Sequence, residues 1–182
     1  MKYIISLVLA FSIAAPVFAA DQLIIISPHR KSIQQEFIPT FKAWYKKEFK
    51  TDVEVDWLDQ GGTSDDVRFV RAKFKGKKTS GIDIFWGGGT TPFLDLNSDG
   101  HLAQYKLPNK LSKEVPEIAA GTPLFDKSKT WYASAMSSFG IFFNKKMLSF
   151  EKLPTPKTWT DLTKPIYNGH ISLTDPRRSG SA

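Results

Sequence analysis

Three short runs rich in β-branched residues, each followed by a glycine- or proline-bearing loop, leave this chain few folds to adopt. Residues 23–27 form a continuous apolar run closed by Pro28, which reads as a buried parallel strand. Residues 53–57 alternate as a second strand, and residues 82–86 form a third, closed by Gly87, Gly88 and Gly89. Helical spacing fills the gaps. Ile33, Phe37, Phe41, Trp44, Tyr45 and Phe49 line one stripe, with Lys42, Lys46 and Lys50 on the other face. Ser32 and Gln35 have capping-box spacing, and Pro39 is predicted to kink this helix or delay its start. Gly61, Gly62, Thr63 and Ser64 open a second helix whose apolar positions are Val67, Phe69, Val70 and Phe74. Thr90 or Thr91 caps a third, with Pro92 in its first turn and Gly100 at its end. Strands alternating with helices at this spacing predict βαβ units and a parallel α/β sheet.

The pattern weakens over residues 104–129, a connection rich in proline and lysine. Residues 131–143 are a long apolar run interrupted by Ser134, Ser137, Ser138 and Gly140. A short helix is predicted over 144–153, an amphipathic turn over 159–162 and a further strand over 171–174. Residues 175–182 read as a loop opening another helix.

Residues 1–19 carry the marks of a cleaved secretory signal. Lys2 precedes an almost wholly apolar run, Pro16 breaks it, and Val17, Phe18 and Ala19 supply the small-residue cleavage pattern, with cleavage after Ala19 preferred over Ala20. The run is short for a membrane span, and no basic cluster follows it directly. Without cysteine there is no lipoprotein route, disulfide framework or thiol chemistry. The charge of +7 becomes +6 once Lys2 is removed, which permits acidic partners without identifying one.

Ligands of open parallel sheets bind beyond the carboxyl ends of the strands. Polar or glycine-rich segments at such ends supply the candidate site residues: His29 after the first strand; Gly61, Gly62, Thr63 and Ser64 after the second; Trp86, Gly87, Gly88 and Gly89 after the third; Asp175, Arg177, Arg178 and Ser179 after the fourth. Glycines admit a close backbone approach, and helix N-termini present N–H groups to an anion. Arg177 or Arg178 would add a charge-assisted contact, and Trp86 an aromatic face. His101 and His170 follow turn signals and are read as surface residues, Asp65 and Asp66 as complements to a helix dipole, and residues 71–78 as a solvated helix end. Neither a G-x-S-x-G elbow, an H-E-x-x-H pair nor a dinucleotide or Walker glycine motif occurs, so catalysis is disfavoured. Aromatics are not interleaved with the lysines as a nucleic-acid platform requires.

Taken in order, residues 26–29, 56–64, 83–89, 137–145, 156–162 and 175–181 closely resemble bacterial extracellular solute-binding proteins of ABC importers, nearest the ferric-iron, polyamine or thiamine group. The resemblance runs from about Leu23 to the last residue. It implies a periplasmic, non-enzymatic, two-lobed type II receptor needing no cofactor, which closes on a small solute and presents it to a membrane permease. On that likeness, residues 20–133 are the N-terminal part of lobe one and 134–144 the hinge crossover, with Ser137 and Ser138 near it; residues 145–182 begin an incomplete lobe two. The chain is then an N-terminal fragment. The tyrosine ligands of iron-binding members would fall after Ala182, and His29 has no adjacent tyrosine, so an anionic or phosphorylated solute fits these loops better than iron. The alternatives are the same fold serving a membrane sensor, a secreted α/β hydrolase, and a cationic protein adhering to the anionic envelope.

Overall fold

The computed structural model describes residues 20–138, 140–175 and 177. The predicted signal, residues 1–19, lies outside them, as do Arg178 and Ser179. Its centre is a three-stranded parallel sheet of order β2-β1-β3, built from β1 (Asp21–Ile26), β2 (Val53–Leu58) and β3 (Ile84–Phe85). The first two strands pair along their whole length, from Asp21 opposite Val53 to Ile26 opposite Leu58. β3 pairs only with the end of β1, at Ile25 and Ile26.

The chain moves from β1 to β2 on one side, then crosses back to β3 on the other. Right-handed crossovers therefore place α1 (Lys31–Phe49) and α2 (Thr63–Phe74) on opposite faces of the sheet. The side chains agree with that assignment and with the two-residue period of a strand. Phe37 of α1 meets Trp57 at 6.0 Å and Trp86 at 4.8 Å between ring centroids. On the other face Ile26 packs with Val67 and Val70 of α2 and Leu96 of α3 (Thr91–Ser98), and Leu58, Phe69 and Phe85 join them. This second face is the buried core. No residue of α1 is fully buried, and Ile33, Phe37, Phe41 and Trp44 line a shallow apolar groove along it.

Several local expectations need correction. The predicted cap at Ser32 does not form, because α1 already begins at Lys31 and no side chain caps it. Gln34, one turn in, instead donates to the His29 carbonyl at 3.2 Å. Pro39 lies inside a single continuous helix rather than at its start. The predicted strand at 171–174 is irregular chain; Ile171 and Leu173 are exposed, and none of the described strands pairs with them. His101, expected at the surface, is half-buried and stacks on Phe74 with 4.1 Å between centroids.

The weak stretch after α3 holds α4 (Asn109–Glu114) and a small hairpin of β4 (Ile118–Ala119) and β5 (Thr122–Pro123). Its loop residues, Ala120 and Gly121, both have positive φ, as a tight two-residue hairpin requires. Beyond an irregular segment, α5 (Lys145–Phe150) starts where the Asn144 side chain accepts from the Lys146 and Met147 amides. A 3-10 turn at Trp159–Thr163 carries a complete capping box between Thr158 and Asp161. Tyr167 is buried, with its hydroxyl donating to the Pro154 carbonyl at 2.6 Å.

Candidate functional site

The three strands end side by side. Ser27 N–H donates to the Leu58 carbonyl and Trp86 N–H to the Ile26 carbonyl, each at 2.9 Å. The loops that follow β1, β2 and β3 are thereby brought to one rim. Because β2 and β3 lie on opposite sides of β1, the loops after β1 and β3 leave toward opposite faces, and this reversal of strand order marks the crevice position at which open α/β sheets bind ligands.

At the crevice Ser27 is fully buried, and its hydroxyl lies 2.7 Å from His29 Nδ1. The imidazole sits against the Trp86 ring at 5.1 Å. Two glycines allow the β3 loop to come this close. A Cβ on Gly87 would lie 2.4 Å from His29 Cε1, and one on Gly88 would lie 2.4 Å from Thr63 Cγ2. Both also hold φ near +90°, a conformation that side chains disfavour. The structure thus gathers His29, Thr63, Trp86, Gly87 and Gly88, drawn from three separate loops. Gly61 and Gly62 form the turn into α2, Ser64 is its second residue, and Gly89 leads toward α3.

Ser137 and Ser138 are exposed on irregular chain. The Arg177 guanidinium forks onto its near neighbour Asp175, with Nε to Oδ1 at 3.0 Å and Nη2 to Oδ2 at 2.8 Å. Its charge is already matched by that carboxylate.

Three contributors were not among the candidate site residues. Ser27 turns inward at the end of an apolar run. Ser134 accepts from the Trp86 indole N–H at 3.1 Å, tying the site to the segment that follows residue 133. Asp66, read from sequence as a first-turn complement to the helix dipole, is completely buried. Its place on the helix carried the signal, since it stands three and four residues before Phe69 and Val70 on the apolar stripe. Burial pushes the Asp66 carboxyl up to about 6; the Gln60 amide opposes the rise, and Asp59 and Asp65 add to it. Asp65 pairs with Arg68 and plays the dipole role that both were assigned.

Among the described residues no helix is long and apolar enough to cross a membrane, and no three carboxylate or imidazole side chains are grouped as a metal set.

Residues 82–182 match the family described as bacterial extracellular solute-binding protein. An uncharacterized protein of Haemophilus influenzae is 28% identical over 136 residues, covering 73% of this chain and 37% of its own length. The phosphoglycerate transport regulatory protein PgtC of Salmonella typhimurium is 36% identical over 81 residues, 43% of this chain and 20% of its own. The chain thus spans well under half the length of these curated relatives. With more than half of its residues matched to one family, and a parallel α/β sheet carrying glycine-rich loops at one rim, the chain belongs to the bacterial extracellular solute-binding proteins.

Proposed function

We propose that this chain carries the first-lobe wall of a periplasmic receptor that binds one small solute without turnover and delivers it to an ABC importer. The observation that carries the reading is the convergence of His29, Thr63 and the Trp86–Gly88 loop at the crevice between β1 and β3. Glycine lets the β3 loop pack directly onto His29 and Thr63, and the N–H groups, hydroxyl and aromatic face gathered at this rim suit a small ligand. In the two-lobed reading residues 20–133 supply this wall, 134–144 the hinge and residues from 145 onward the facing lobe. Ligand binding then favours closure because it contacts both walls only in the closed form.

An anionic, phosphorylated solute is the preferred class. The α2 N-terminus faces this rim, and the name of the Salmonella relative makes phosphoglycerates the first compounds to try. The same name calls that relative a regulatory protein, which favours a second reading: the loaded receptor engages a membrane sensor instead of a permease.

A thermal-shift screen of the full chain against 2- and 3-phosphoglycerate, inorganic phosphate, phosphonates, polyamines, thiamine and ferric complexes tests the proposal. A concentration-dependent rise in Tm with a phosphorylated acid, and recovery of that acid unchanged, is expected. Consumption of the compound would turn the reading toward a secreted hydrolase. A shift with polyamine, thiamine or iron alone would keep the receptor and replace the solute class.

A further inference from the structure

Asp66 is bonded in a way that a carboxylate serving only a helix dipole does not need. Its Oδ1 accepts from the Gln60 amide at 2.9 Å, while its own amide makes the ordinary first helical bond of α2, to the Gly62 carbonyl at 2.9 Å. The side-chain bond therefore ties the start of the turn containing Gly61 and Gly62 to the first turn of the helix that follows it. Its second oxygen, Oδ2, is buried without a hydrogen-bond partner among the described residues. Burying a carboxylate in that state is costly, and the neighbouring Asp65 already meets the dipole from a half-buried position. The turn tied in this way leads directly into Thr63, which is buried and stands where a Gly88 side chain would be.

We infer that Asp66 is a positioning residue: it clamps the Gln60–Gly62 turn and so sets Thr63 against the Gly87–Gly88 loop at the solute crevice. This rests on the solute-receptor reading above. Asp66 does not touch the solute; it fixes the wall that does. What the clamp requires is an acceptor oxygen at Oδ1, which asparagine retains and alanine lacks.

The test uses the full chain and its Asp66→Ala and Asp66→Asn variants, with 3-phosphoglycerate as the probe. Amide exchange is followed at Gln60, with the Ser27 amide, bonded to Leu58, as the sheet reference. In D66A, Gln60 exchange is expected to accelerate at least tenfold while Ser27 keeps its protection, and probe affinity to fall at least fivefold. D66N is expected to restore both, which a loss of packing alone would not explain. Unchanged Gln60 exchange in D66A overturns the clamp. Freed Gln60 with unchanged probe affinity overturns the positioning role. Equal loss of protection at Ser27, or a D66A that no longer melts cooperatively, would make Asp66 a support of the whole domain and also overturn it. Failure of D66N to restore the Gln60 amide does the same. If the unsubstituted chain binds neither 3-phosphoglycerate nor the other screened compounds, the receptor reading falls, and Gln60 exchange still decides whether the clamp exists.

Discussion

At the scale of single residues, Asp66 makes the stability of this protein depend on pH in a definite direction. Its carboxyl titrates near 6 in the folded chain, against 3.8 as an ordinary aspartate. Below pH 4 both states are protonated, and the group contributes nothing. As pH rises from about 4 to 6 the unfolded chain releases this proton while the folded chain holds it, so unfolding gains ground. Above pH 6 the full penalty is present, at most ~3 kcal/mol for a shift of about two pK units. Asp161 works in the opposite sense. Lys164, with the amides of Lys157 and Thr158, holds its carboxyl well below the usual range, so its contribution is lost on acidification. Comparing the unsubstituted chain with D66N cancels the Asp161 effect. Urea midpoints between pH 4 and 7 should show the parent losing stability relative to D66N as pH rises. A constant difference would mean that Asp66 is solvated.

At the scale of elements, the two faces of the sheet are unequal. The α2 and α3 face buries Ile26, Val67, Val70 and Leu96, whereas α1 leaves Ile33, Trp44 and Phe49 exposed. Leu96→Ala should therefore cost about 2–4 kcal/mol, within the range for a fully buried leucine. Trp44→Ala, removing a half-exposed ring, should cost under about 1 kcal/mol and reduce binding of a hydrophobic dye. Urea melts and dye fluorescence of the two variants check the contrast; equal costs would mean that α1 is packed as fully as α2. Periodicity reveals that each helix has an apolar stripe but not which stripe finds a partner. The strands were legible because β-branched runs ending in glycine or proline suit few alternatives. Residues 171–174 show the limit of that signal, since alternation without a pairing strand leaves irregular chain. The hairpin at residues 118–123 was invisible for another reason. Its strands are two residues long, and nothing in Ala120 announces a positive φ. Of the candidate site, the grouping of His29, Thr63 and Trp86 was legible, because these residues sit in or beside loops that follow strands. The places of Ser27, Asp66 and Ser134 were not, because they depend on which way a polar side chain turns.

At the scale of the whole molecule, burial is concentrated toward the amino-terminal side. Ile25, Ile26, Val53, Val67, Val70, Leu96 and Leu124 all precede residue 134, while Tyr167 is the buried large side chain described after it. Phe142, Phe150 and Leu173 are almost fully or largely exposed. Local unfolding free energy follows buried contacts, so the segment after residue 134 should open well before the sheet does. Lys145, Lys146, Lys152 and Lys157 lie in that segment, exposed to trypsin. Lys42 and Lys46, by contrast, stand on α1 in ion pairs with Glu54 and Asp52 of the sheet side. Brief tryptic digestion of the chain should cut first at Lys145 or Lys146 and leave a more slowly degraded fragment containing β1 to β5. Mass spectrometry of the early products identifies the cut. First cleavage within α1 or α2 would show that the sheet and its helices are no more stable than the segment that follows. If the two-lobed reading holds, an added solute that bridges both walls should slow the cut at Lys145. A solute held by the first wall alone should leave its rate unchanged, so the same digestion separates closure from simple binding.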